Sequence, residues 1–346
     1  MRFSRVAIEA IAYDLPPTVV TSAALEDRLA PLYQSLRIQK GQLEALTGIR
    51  ERRYWPAGHT MAEGATRAAK KALTKSKVRP ADLGMLIYAG VCRDALEPAT
   101  ACAVAAGLDL APQTQVYDIS NACLAVMNGI LQIASAIELG HVRAGMVVSC
   151  ESARQIVDLT IDRMLAEPTM DSYRHCLATL TGGSGAIAVV VADKSLVADA
   201  HDLVGGVMRN DTRWHKLCRW GPDTGIPATM PMRMDTDAVG VMEHGVELGL
   251  KTWQAFLEEM SWTTESIDRT ICHQVGAPHR DFVLKQLGVP PGKDFVTYEF
   301  LGNIGTISLP ITAALAAERG FLQKGHRTAF CGIGSGLNCL ILGVEW

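Results

Sequence analysis

The chain has 346 residues, 48% of them hydrophobic and 20% charged, with a net charge of −3. That length suits one large domain or two tightly joined ones, and the composition is that of an ordinary globular protein. The weak negative charge, with no Lys/Arg block, argues against nucleic acid or an anionic membrane surface as partner. No apolar run is long enough to cross a bilayer as a transmembrane segment. The start, Met1-Arg2-Phe3-Ser4-Arg5, leads into a short strand-like run rather than the apolar stretch of a signal peptide, so a cytoplasmic location is expected.

In chain order, short β-branched runs alternate with helical patterns, which predicts an α/β layered architecture. The first half gives strands over 6–11, 85–91, 115–119, 144–150 and 185–192, with helices over 61–73, 98–106 and 124–139. The second gives strands over 203–209, 270–274, 295–297, 328–332 and 338–344, with helices over 237–260, 279–287 and 309–319. The similar order of elements suggests two alike halves, 1–195 and 196–346. Residues 154–181 interrupt the alternation with a polar, helix-prone insertion placed to lie over a site. The stretch from Gly221 to Asp237 reads as loop and sets Met230, Met232 and Met234 at alternate positions, either as packing or as a pliable apolar wall for an alkyl chain.

Nine cysteines are scattered without a C-x-x-C pair or a histidine knuckle. With an odd count and no metal-ligand spacing, reduced thiols and no bound metal are expected. Most then act as small buried hydrophobes. Cys123 is the exception by context. In Asp118-Ile119-Ser120-Asn121-Ala122-Cys123-Leu124 a strand ends, a short turn follows, and an apolar helix begins at the cysteine. Backbone N–H groups and the helix dipole there favour a thiolate, and the cysteine's own N–H can point at an oxyanion. A buried structural thiol is the competing reading of this segment.

His273 closes a predicted strand in Ile271-Cys272-His273-Gln274, the end of an α/β strand where catalytic side chains collect. Asn303 sits between glycines in Leu301-Gly302-Asn303-Ile304-Gly305, a tight turn that aims its amide or serves only as turn chemistry. A last glycine-rich run, Gly332-Ile333-Gly334-Ser335-Gly336, lacks dinucleotide spacing and reads as a turn whose N–H groups face a site.

Taken together these segments resemble the thiolase superfamily, in its ketoacyl-ACP synthase III branch. Thr47-Gly48-Ile49-Arg50-Glu51-Arg52-Arg53 is similar to that branch's N-terminal signature, Asn121-Ala122-Cys123 to its nucleophile motif, and His273-Gln274 and Gly302-Asn303 to its His and Asn motifs. The resemblance implies a five-layered αβαβα thiolase fold of two similar halves, as a homodimer with one active site per subunit. Within the branch, Arg93-Asp94-Ala95-Leu96-Glu97-Pro98, Trp214-His215-Lys216-Leu217-Cys218-Arg219 and the 332–338 stretch are most similar to the OleA type, which joins two fatty acyl-CoA molecules.

That resemblance implies Cys123 as nucleophile, His273 and Asn303 as its partners, and the N–H groups of Cys123 and Ser335 as oxyanion hole. It also implies Glu97 as a base that crosses the dimer interface into the partner's site. No cofactor is implied. The resemblance implies long-chain CoA thioesters as substrates and is compatible with downstream hydrocarbon-pathway enzymes as further partners. A second carboxylate has a chemical reason. A decarboxylating synthase makes its carbanion by losing CO2, whereas a plain acyl thioester must lose a weakly acidic α-proton, which requires a base.

The sequence departs from the synthase III pattern over 38–46, where the Trp and Arg that hold CoA in that branch are missing. The alternative is a decarboxylative synthase III-like condensing enzyme or acyltransferase. A non-catalytic partner subunit is a third reading, opposed by the presence of Cys123, His273 and Asn303.

Overall fold

The computed structural model describes residues 1–222 and 232–346. Its centre is a nine-stranded mixed sheet in the order Arg269–Cys272, Arg327–Gly334, Asn338–Glu345, His201–Asn210, Val6–Asp14, Gly185–Asp193, Ala144–Glu151, Met85–Ala89, Gln115–Ile119. Between the fourth and fifth strands of this order the sheet narrows. His201–Asn210 meets Val6–Asp14 only through the pairs Ala7 with Asp202 and Ile8 with His201. The sheet thereby folds into two faces that enclose a shared middle layer.

Alternation along the strands assigns the layers, because successive side chains point to opposite faces. Ile87, Val147 and Val189 from one part of the sheet, and Phe330, Leu340 and Leu342 from the other, face inward onto the helices Ala125–Glu138 and Ser308–Glu318. Leu86, Met146 and Val190 face outward under the helices Met61–Lys75 and Thr100–Gly107. Ala329, Cys339 and Ile341 face outward under Ala238–Met260 and Ala277–Leu287. Helix, sheet, helix, sheet, helix: the expected five layers are present. Each fully buried Leu, Ile, Val or Phe in them contributes about 1.5–3 kcal/mol of transfer free energy.

The insertion forms the helices Arg154–Ala166 and Met170–Cys176. Val157, Ile161 and Met164 pack against Leu25, Leu32 and Leu43 of three short helices, Ser22–Arg28, Ala30–Leu36 and Gln42–Thr47. Those helices, and the ribbon of Thr18–Thr21 with Glu51–Tyr54, have no counterpart in the sequence-based expectation.

Two expectations are corrected. Residues 295–297 form no strand, because their backbone is held by a side chain instead. Gln274, fully buried, accepts the N–H groups of Thr297 at 2.7 Å and Tyr298 at 2.9 Å. The stretch read as loop begins and ends in strand: Cys218–Pro222 and Met232–Thr236 pair as an antiparallel ribbon. Met230 lies outside the described residues. Among the described residues no helix is long and apolar enough to cross a membrane.

Candidate active site

Three strand ends and two loops converge on a cavity of about 570 Å³ lined by Cys123, His273, Asn303 and Ser335, with apolar wall from Ile156, Val241 and Met234 among others. Ala178, Thr179 and Thr181 of the insertion also line it, as its placement over a site predicts.

Cys123 follows the strand Gln115–Ile119, but the helix does not begin at it. A single 3-10 turn, Ala122–Leu124, intervenes, and the helix starts at Ala125. Ala122 takes a φ of 44°, an uncommon conformation for a residue with a side chain and one that recurs at functional turns. The turn is tied down from the other half of the molecule. Thr306 Oγ1 accepts the N–H of Val126 at 2.8 Å. Asn338 donates from Nδ2 to Asn121 Oδ1 and to the carbonyl of Ser335, each at 3.2 Å. One amide thus couples the nucleophile turn to the glycine-rich turn that carries Ser335. The thiol itself is pushed up to about 12, first by burial and then by the nearby Cys218 and Glu151, with its own N–H opposing. Resting Cys123 is therefore a thiol, because desolvation outweighs the N–H stabilisation that the sequence suggested.

His273 lies one residue beyond the strand Arg269–Cys272, and its N–H donates to Cys331 O at 2.8 Å. Burial pushes it down to about 3, helped by His279, which burial holds at about 4. Both imidazoles are neutral at physiological pH and line the cavity. A neutral imidazole can donate a hydrogen bond to a developing oxyanion. His279 was not singled out from sequence; a histidine seven positions past the strand end at Cys272 carries no signal until the fold turns it inward.

Asn303 is aimed by its backbone. Its N–H donates to Thr181 O at 2.9 Å, its carbonyl accepts from Gly183 at 2.9 Å, and its Oδ1 accepts the Gly305 N–H at 3.1 Å. The amide Nδ2 takes no part in these bonds, and Asn303 lines the cavity. Gly302 has a φ of +68°, and a Cβ there would lie 2.5 Å from Thr181 O. Only glycine allows this approach. The Thr47–Arg53 signature buttresses the same loops: a Cβ on Gly48 would fall 2.7 Å from Ala277 Cβ, and Arg52, fully buried, donates to Ser22 Oγ at 3.1 Å under Gly302.

Glu97 is not in this cavity. It is exposed, beside Leu96, which is 82% exposed. Its loop is nevertheless well anchored. Asp94 accepts the N–H groups of Met61 at 2.6 Å and Ala62 at 2.9 Å at one helix start. Asp118 does the same for Thr100 and Ala101, each at 2.8 Å. Of the OleA-like 214–219 segment, Cys218 and Arg219 line the cavity, and Trp214 stacks on His244 at 3.5 Å. All nine cysteines are unpaired, and among the described residues no cluster of ligands fits a metal ion.

A buried thiol at a strand–helix junction, opposed by a neutral His and a fixed Asn amide, is the site of a thiolase-fold condensing enzyme. Comparison with known proteins agrees. Residues 257–346 match the model of the 3-oxoacyl-[acyl-carrier-protein] synthase III C-terminal family. Over its whole length the chain is 54% identical to the acyl-CoA:acyl-CoA alkyltransferase of Shewanella oneidensis and 38% identical to that of Xanthomonas campestris, covering all of each. A solved structure of Xanthomonas campestris OleA with bound lauric acid and lauroyl-CoA superposes with a TM-score of 0.94 at 37% identity, over 99% of this chain and all of that one. A cerulenin-bound form of the same protein gives 0.94 at 37% identity, over 100% and 98%. The chain belongs to the acyl-CoA:acyl-CoA alkyltransferase (OleA) family and is an acyltransferase.

Proposed function

We propose that the chain joins two long-chain acyl-CoA molecules by a Claisen condensation without decarboxylation, releasing a 2-alkyl-3-ketoacid and two CoA. The carrying observation is the one apolar cavity in which Cys123, His273, Asn303 and the Ser335 turn meet, in a member of this family. In the first half-reaction the Cys123 sulfur attacks an acyl-CoA carbonyl, with the N–H groups of Cys123 and Ser335 as oxyanion hole. CoA leaves with the thiol proton. In the second, the α-carbon of another acyl-CoA loses a proton, and His273 and Asn303 donate to the enolate oxygen. The enolate carbon attacks the acyl-Cys123 carbonyl; the C–C bond forms, the C–S bond to Cys123 breaks, and the departing thiolate takes up the proton removed from the α-carbon, which restores both the thiol and the base.

The base for the α-proton is Glu97 of the partner subunit in a homodimer. Support comes from its absence from its own subunit's cavity and from the braced, exposed loop that presents it. In this reading residues 1–195 bring the nucleophile and 196–346 the His and Asn, in a cytoplasmic enzyme whose product feeds hydrocarbon-forming partners.

Incubation of the protein with a long-chain acyl-CoA as sole substrate tests the reading. A ketone, formed as the unstable β-keto acid loses CO2, is expected. Product that appears only on adding malonyl-ACP contradicts it and favours a decarboxylative synthase.

A further inference from the structure

The cavity holds a carboxylate to which sequence reasoning gave no role. Glu151 ends the strand Ala144–Glu151 and is the one acidic side chain among the described residues that line the Cys123 cavity. It is buried, at 5% exposure. Its Oε1 accepts the Val91 N–H at 2.9 Å and its Oε2 the Cys92 N–H at 3.2 Å, while its carbonyl accepts Trp55 Nε1 at 3.2 Å. Two glycines make the room: a Cβ on Gly90 would lie 2.9 Å from Oε1, and one on Gly305 would lie 3.7 Å from the carboxyl carbon. Gly305 is also the residue whose N–H fixes the Asn303 amide, so the carboxylate stands on the Asn303 side of the cavity.

Among the described residues no Lys, Arg or His pairs with Glu151, although buried carboxylates ordinarily have a cation. Burial raises its pKa, and the Val91 and Cys92 N–H groups pull against that, with a weak contribution from Arg93. Tyr88, Cys92, Cys123 and Cys150 face it, and each is raised first by burial and then in part by its charge. A buried carboxyl with no cation beside it holds a proton more readily than an exposed one, and is suited to take and return one.

The reaction needs such a group. Resting on the function proposed above, one turnover demands, after the Cys123 thiol proton has left with the first CoA, two further proton abstractions, from an α-carbon and later from water. The first belongs to Glu97, whose proton passes to the Cys123 thiolate as the C–C bond forms; for the second, Glu151 is the acidic side chain already in the cavity. We propose that Glu151 is the general base for the second, the hydrolysis that frees the β-keto acid. Water oxygen attacks the thioester carbonyl of the 2-alkyl-3-ketoacyl-CoA. The C–O bond forms, the C–S bond to CoA breaks, and Glu151 takes the water proton and delivers it to the departing CoA thiolate. Acid and CoA leave, and the carboxylate is restored.

The test uses the full-length protein, its Glu151→Gln and Glu151→Asp variants, and myristoyl-CoA alone. Intact-protein mass spectrometry reads acyl-Cys123, and chromatography with mass detection reads the condensed CoA thioester and the ketone. Glu151→Gln is expected to form acyl-Cys123, to accumulate the condensed thioester and to lose about 10²-fold or more of ketone release, the usual contribution of a general base. Glu151→Asp, which keeps the carboxylate but retracts it, is expected to regain part of that release, and it carries the test should Glu151→Gln fail to fold. The proposal is overturned if either folded variant releases ketone as the unsubstituted protein does. It is also overturned if acylation, condensation and release fall together with no thioester accumulating, which marks a structural role. If the unsubstituted protein itself gives neither acyl-Cys123 nor ketone, the proposed function fails, and that result is distinct from either.

Discussion

Glu151 and Glu97 are linked by one stretch of chain yet occupy opposite environments. Glu151 holds the start of the loop by accepting the N–H groups of Val91 and Cys92, and it faces the Cys123 cavity. Glu97, a few residues on, points into solvent from a loop clamped by Asp94 and Asp118. The buried carboxylate belongs to its own subunit's chemistry. The exposed one can act only where another surface receives it. The cavity side of this system is therefore coupled to folding, whereas the loop tip is nearly free of it.

The largest effect expected is on the cavity side. Cys123→Ala should abolish acyl-enzyme formation in intact-mass spectra and with it all condensation, making both carboxylates irrelevant. Next, Glu97→Ala should lower ketone formation by about 10²–10⁴-fold while Cys123 is still acylated. Because Glu97 is exposed, the melting temperature should barely move; a large drop would break the comparison. Gly302→Ala should do both kinds of damage. A side chain at that positive φ costs about 1–3 kcal/mol, and shifting Asn303 by about 1 Å can cost on the order of 10² in kcat. Asp94→Ala should cost about 1 kcal/mol of helix capping and weaken condensation more than acylation, since it loosens the loop but leaves the cavity intact. Calorimetry and the two half-reactions separate these cases.

A separate effect, on the cavity side alone, is on stability against pH. His273 and His279 fold neutral, with pKa values near 3 and 4, while the unfolded chain titrates near the ordinary histidine value of about 6.5. Folded values that are depressed mean that the unfolded state binds more protons below that value. Stability is fully present above about pH 6.5 and falls as pH drops towards 4, by at most roughly 1.4 kcal/mol per histidine per pH unit. Replacing His279 by Gln should flatten this slope in thermal melts; an unchanged slope would show that the cavity histidines are not its source.

Much of the site was legible because it follows strand ends. Cys123 and His273 each follow a short apolar run, and Gly302-Asn303 announces its turn by composition. Resemblance then joined them, since no local signal tells a distant Cys, His and Asn that they meet. Glu151 was not legible: the predicted strand stopped one residue before it, and a carboxylate ending an apolar run is ordinarily solvated. What buries it are Gly90 and Gly305, non-local neighbours that appear only in the fold. The three short helices between Ser22 and Thr47 escaped for a related reason. Segments of six or seven residues have little intrinsic helicity and are fixed by packing against the insertion. Residues 295–297 look like a strand, but Gln274 donates to the Phe295 carbonyl and accepts the N–H groups of Thr297 and Tyr298.

The most direct test of the account is a two-step single turnover. Cys123 is first acylated with one acyl-CoA, excess is removed, and a second acyl-CoA of different chain length is added to the unsubstituted protein and to Glu97→Ala. The account predicts the mixed-chain ketone from the unsubstituted protein with no malonyl thioester present, and persistent acyl-Cys123 without ketone from Glu97→Ala. Equal ketone from both proteins, or ketone only after a malonyl thioester is supplied, would contradict it.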